Sequence, residues 1–200
     1  MGVTINFEES GAGPKRKCGT CTLCCRLVPV VELEKRQNQR CKFQRHSGCQ
    51  VYKQPHRGFP LACELWSCKW LLNHDAADLR RPDRSHYVID IAPDYVQTLD
   101  PAGAEPTTVE VIQIWLDPAY PDAHRDPALR AWLERRAAEK PVLGLVRYSG
   151  EDRAIVLYPP VYADDGQWHE VESKRDPTRD YNIADVAEKL GGVLHAVIEP

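Results

Sequence analysis

Four of the eight cysteines of this 200-residue chain stand within eight positions, as Cys18, Cys21, Cys24 and Cys25 in the stretch KCGTCTLCCRL at residues 17–27. The other four, Cys41, Cys49, Cys63 and Cys68, follow soon after, and no cysteine occurs beyond position 68. A Cys-x-x-Cys pair can set two sulfurs on one ion because its tight turn aims both side chains inward, and Gly19 eases that turn. Cys18, Cys21 and Cys24 also read as C-x-x-C-x-x-C, the spacing that wraps three corners of an iron–sulfur cube. The bacterial ferredoxin run would continue x-x-x-Cys-Pro, and here position 28 is Val.

Adjacent side chains diverge in a helix or a strand, so Cys24 and Cys25 belong to two sites, or one of them is a core thiol. The eight thiols then divide as two four-cysteine sites, or as one cluster plus one zinc. Free cysteine is often a small buried hydrophobe, but eight crowded into 51 residues ask for another explanation. Residues 1–17 are polar, with no apolar stretch of the kind a signal peptide needs. No run of about 18 apolar residues crosses a membrane. The expected location is therefore cytoplasmic, where thiols stay reduced and dense cysteines bind metal rather than pair as disulfides.

The pattern resembles the CxxCxxCC zinc- or iron-chelating domain family, also called YkgJ-like cysteine cluster proteins. Cys18, Cys21, Cys24 and Cys25 carry the resemblance, with GCQVY around Cys49 and CELWSCKW around Cys63 and Cys68, over about residues 17–72. Many members have an Arg-Pro pair before the later cysteines, whereas this chain reads KQPHRGFPLAC. The resemblance implies metal chelation and no particular reaction.

Charge is unevenly spread. Residues 1–85 carry 15 Lys and Arg against 8 Asp and Glu, and residues 86–200 carry 11 against 21. Nucleic acid could answer the basic half, but its cations are scattered without a stacked aromatic platform. Internal compensation is the better account, since eight thiolates around two divalent ions bring about four negative charges.

Around this segment the chain supplies a loose arm at 1–16, a Cys-rich metal-binding module at 17–85 and a body at 86–200. In the module only 31–37 reads as a short helix, with little apolar surface to bury. In the body, HYVIDIAP and TVEVIQIWL alternate with period two and predict strands. DPALRAWLERRAAEK predicts a helix, capped by Asp126, opened by Pro127, with Leu129, Trp132 and Leu133 on one face. PVLGLVRY and RAIVLYP, joined by SGED, predict a hairpin. A helix from Asn182 to Gly191 and a strand in VLHAVIE close the series. The class is α+β, with the Cys-rich module packed on a body built round a mainly antiparallel sheet.

His46, His56 and His74 flank the cysteines and could replace one sulfur, though solvated loop histidines are the simpler reading. His86, His124, His169 and His195 are scattered, and none is a catalytic candidate. Asp164 and Asp165 near His169 read as a polar turn, lacking calcium-loop spacing. Trp66 and Trp70 lie four apart and could share a helical face, more often core than binding surface. No P-loop, dinucleotide, nucleophile-elbow or HExxH motif occurs.

The function expected from these residues is metal binding in a structural or partner-presenting role. Zinc is favoured, because closed thiolate sites suit a tetrahedral ion without redox chemistry. An iron–sulfur protein and a metal buffer are the alternatives. The expected partners are metal ions and another protein, with no membrane and no nucleic acid. Eight sulfurs on two four-coordinate ions leave no open position, so a non-enzyme is favoured.

Overall fold

The computed structural model describes residues 16–72, 74–91, 93–98, 107–149, 153–174 and 196–197. Its helices are α1 (Leu23–Leu27), α2 (Leu61–Leu65), α3 (Lys69–Leu72), α4 (Pro82–Ser85) and α5 (Pro127–Ala137). The strands are β1 (Gln44–Arg45), β2 (Gly48–Cys49), β3 (Tyr87–Ile89), β4 (Asp94–Thr98), β5 (Thr107–Leu116), β6 (Val142–Ser149), β7 (Arg153–Tyr158), β8 (His169–Lys174) and β9 (Ala196–Val197). The class is α+β. Among the described residues no helix is long and apolar enough to cross a membrane.

The main sheet runs β8-β7-β6-β5-β4-β9, and β3 joins it on β5. The first half of β5 pairs with β4 and its last three residues pair with β3, both antiparallel. Among the described strands only β5 and β6 are parallel, and α5 lies between them in sequence, as a parallel pair requires. Alternation sorts each strand onto two faces. Ile112, Ile114, Leu116, Val142, Val146 and Leu157 pack against Leu129, Trp132 and Leu133 of α5. Val109, Val111, Leu143, Leu145, Val156 and Tyr158 form the core of the opposite face. Gly144 has a packing reason within its strand, since a Cβ there would stand 3.2 Å from Leu157.

Helix α5 follows its sequence. The Asp126 carboxylate accepts from the Ala128 N–H, Pro127 opens the first turn, and Leu129, Trp132 and Leu133 are buried. The β6–β7 hairpin and the strands at 87–89 and 107–116 also form where alternation placed them. Two strands of the main sheet were not anticipated, nor was the short β1–β2 hairpin of the module. DYVQT became β4, and HEVESK, next to the expected polar turn, became β8. The expected helix at 31–37 is a single 3-10 turn, Val31–Leu33. Glu34 takes φ 52 and ends it, and Lys35 turns inward to donate to the carbonyls of Arg26, Val28 and Arg36. The helix expected from Asn182 lies outside the described residues, and of the closing strand only β9 lies within them.

The buried charges of the body are paired. Glu110 is held by Arg136 at 2.8 Å and by Lys140, at the C-terminal end of α5. Glu170 on β8 gathers Arg125, Arg130 and the buried His124. The Arg125 guanidinium, with His124 beside it, holds the Glu170 carboxyl down from its ordinary 4.5 to about 2. Because the folded value is the lower one, this contribution to stability is full above about 4.5 and fades as pH falls toward about 2. Glu170→Gln should therefore lower the thermal midpoint at pH 7 and converge with the unsubstituted protein at pH 2. Melting curves across that range check it, and an equal difference at both ends would contradict the pairing.

Candidate metal centre

The cysteines come from short elements that bend around one another. A turn at Gly19–Thr20, with Gly19 at φ 55 and the Cys21 N–H donating to the Cys18 carbonyl at 2.9 Å, fixes the first pair. Cys24 and Cys25 lie on α1, where successive side chains diverge by roughly 100°. The Cys41 N–H donates to the Cys25 carbonyl at 3.0 Å, tying the next loop to the back of that helix. Cys49 sits on β2, Cys63 in α2, and Cys68 just before α3.

All eight are free thiols. Cys68 is buried with Leu23, Leu27 and Val88, and Cys21 and Cys24 pack against the same cluster. Burial raises the Cys68 thiol to about 12, and the charges of Cys18 and Cys21 add to that. Burial raises Cys18, and the charges of Cys21 and Cys25 contribute. Cys24 also feels Cys68 and Cys18. Burial raises Cys63 to about 11, followed by the influence of Cys25, Cys41 and Cys49. Cys49 is raised by burial and then by Cys25 and Cys41. These influences sketch two neighbourhoods, one of Cys18, Cys21, Cys24 and Cys68 and one of Cys25, Cys41, Cys49 and Cys63, which are in contact, since Cys18 also feels Cys25. The adjacent pair on α1 joins them.

That pair is electrically asymmetric. The Cys24 thiol donates toward Cys25, and this shared hydrogen bond raises Cys24 and lowers Cys25 relative to an ordinary thiol. The buried Lys35 ammonium supports the second neighbourhood and lies within reach of Cys41, Cys25, Cys24 and Cys63.

Among the described residues, no group of three or more His, Cys, Asp and Glu side chains is placed to hold an ion as it stands. The sulfurs are neighbours rather than a closed ligand sphere. Their chemistry nevertheless fits a thiophilic ion, with eight soft donors and a buried ammonium beside them.

His46 and His56 are exposed on loops, and the His74 side chain lies outside the described residues. His86 stacks on Tyr120 with ring centroids 3.5 Å apart. His124 is buried, its Nδ1 2.8 Å from the Pro121 carbonyl. His169 meets Asp165, whose carboxylate also accepts from the Gln167 N–H, which makes the segment a polar turn. His195 lies outside the described residues. Trp66 and Trp70 do not share one helix, since α2 ends at Leu65 and Trp70 belongs to α3.

Both tryptophans instead lie where the cysteine segment meets the body, Trp66 at Asp90 and Trp70 against the core under α5. The Trp66 indole donates to Asp90 at 2.8 Å, where Trp115 of β5 also donates, and Trp70 donates to the Leu79 carbonyl. Cys68 pairs with Asp90 as an isolated bridge, and Arg26 of α1 pairs with the buried Asp117. Ala76 and Leu79 enter the core under α5, where the Trp132 indole donates to the Asp75 carbonyl. Residues that sequence reasoning passed over, Lys35 and Asp90, are thus central to the site's setting. A lysine in a polar stretch and an aspartate in a strand gave no signal of their own. No family model, curated protein or solved structure matches the chain.

Proposed function

We propose that residues 17–72 form a metal-binding cysteine module that presents the body to a protein partner, with zinc as the favoured ion. The reading rests on eight free thiols carried by short elements around α1, which we divide as Cys18, Cys21, Cys24 and Cys68 and as Cys25, Cys41, Cys49 and Cys63 because the adjacent pair on that helix diverges and does not face one ion. Four thiolates suit tetrahedral zinc, which closes its site and brings no redox chemistry. Each ion would draw one set inward and displace the protons that burial now holds on most of the sulfurs. The buried Lys35 offsets part of the negative charge that four thiolates on a divalent ion retain.

One observation favours a second reading for the first set. It contains the run Cys18, Cys21, Cys24 and one remote residue, Cys68, a donor pattern that also suits an iron–sulfur cube. Anaerobic purification with elemental analysis and X-ray absorption at the metal edge separates the two. Colourless protein with two zinc ions, each in four sulfurs, is the expected result. A broad absorbance near about 400 nm would move the first set to iron and sulfide. Purified protein without stoichiometric metal, or metal bound chiefly by light atoms, would overturn the reading.

A further inference from the structure

From residue 35 to residue 63 the chain carries seven Lys and Arg and no Asp or Glu. One of them, Lys35, is buried and bonded to carbonyls. The other six are exposed, and among the described residues none takes part in an ion pair. In the body, by contrast, Arg125, Arg130, Arg135 and Arg136 all have carboxylate partners. Cations of one sign held together without counter-charges repel one another, which an anion would relieve.

Two of these cations meet at one place. A solvent-open cleft of about 500 Å³ is lined by Thr20, Thr22, Arg40, Arg45, His46 and Asp83. Arg45 is fixed there by its own hairpin, donating from Nη1 to the Lys42 carbonyl at 2.8 Å and the Gln44 carbonyl at 3.0 Å, and from Nη2 to the Gln50 side chain. These neutral acceptors position its charge without cancelling it. Arg40 has a single long bond, to the Gln44 carbonyl at 3.4 Å, so most of its guanidinium donors are unclaimed. The Gln44 amide donates to the Thr22 hydroxyl at 2.9 Å and ties the hairpin to the cysteine loop across the cleft. The carboxylate on the rim, Asp83, is already answered by a two-pronged Arg81 contact at 2.6 Å on each arm.

We propose that this cleft binds a phosphate-bearing anion. Guanidinium forks match the oxygens of phosphate, and threonine hydroxyls on the facing wall can donate to the same group. The volume falls within the range of small-molecule sites and exceeds what one phosphate fills, which fits a ligand of nucleotide or diphosphate size. The same chemistry is available from a free phosphate compound or from the backbone of a single strand of nucleic acid. The site is distinct from the sulfurs, although it shares the Cys18–Cys21 loop with them.

The test is calorimetric titration of the full-length, metal-replete protein with inorganic pyrophosphate at low salt, and with a short oligothymidylate in parallel. Saturable pyrophosphate binding is expected, weakened roughly tenfold or more by Arg40→Ala and by Arg45→Ala. Arg57→Ala removes the same charge away from the cleft and should change affinity by less than about twofold. Metal content and amide spectra confirm folding. Arg40→Ala, which breaks one long hydrogen bond, keeps the test decisive should Arg45→Ala disturb the hairpin. Tighter oligothymidylate binding with a steeper salt dependence, still governed by the two arginines, would identify nucleic-acid phosphate as the source. Equal or weaker binding would identify a free phosphate compound. Equal losses in all three variants, or no saturation with either ligand, would overturn the proposal.

Discussion

Removing metal from the purified protein should abolish amide protection across residues 17–72 while the body keeps its strand signal. The module has little else to hold it. Its helices are no more than five residues long and its one hairpin pairs two residues with two. Val31, Leu61, Leu65 and Leu72 remain exposed. Glu34, Asn38 and Lys53 are non-glycine residues at positive φ, and each such residue costs on the order of 1 kcal/mol. Against this stand the small cluster around Leu23, Leu27 and Cys68 and the contacts to Asp90 and Asp117. For a segment so poor in core, much of the metal-binding free energy is folding free energy. The body has two faces of buried side chains and needs no such help. Hydrogen exchange before and after chelation decides it, and unchanged protection over 17–72 would refute the coupling.

Substituting the adjacent pair should divide the metal content. Cys24→Ser and Cys25→Ser should each lose about one equivalent, and not the same one, because adjacent side chains on α1 diverge and would serve different ions. The remaining ion should keep the sulfur shell of its own set. Metal analysis with edge spectroscopy on each variant reads this directly. A variant that retains both equivalents would make its cysteine a core thiol. A variant that loses both would mean that the two sets act as one cluster.

Much of the body is legible in its residues alone, for local reasons. Asp126 and Pro127 mark the start of α5, and the alternation in 142–148 and 153–158 sorts those strands onto two buried faces. β4 is illegible because the neighbouring Asp94 and Tyr95, on opposite faces, are both exposed, and β8 because Val171 is the one apolar residue of HEVESK, so neither shows a period of two. The helix between β5 and β6 is a sign of their parallel pairing, but the hairpin that follows speaks for antiparallel neighbours and masks it. At 31–37 local helical character loses to a tertiary demand, since Lys35 turns toward three carbonyls under the thiols. All eight candidate ligands are legible from spacing. Which thiol neighbours which is not, because Cys41, Cys49, Cys63 and Cys68 reach α1 through loops whose paths no periodicity encodes. The cleft does leave one trace, the carboxylate-free run from 35 to 63 around Arg40 and Arg45.

The seat of β9 carries a kinetic consequence. Ala196 and Val197 pair with Thr98 and Gln97, about a hundred residues earlier in the chain, so this contact closes the longest loop in the sheet. Loop closure of that length is paid late in folding, after local hairpins and the α5 crossover have formed. During synthesis β4 therefore waits with its outer edge open until residue 197 has emerged, and an open edge accepts strands from other chains. Tyr95, exposed on that waiting strand, adds apolar surface to it. Expression rate and temperature should thus govern the yield of soluble protein more strongly than the final stability of the sheet does.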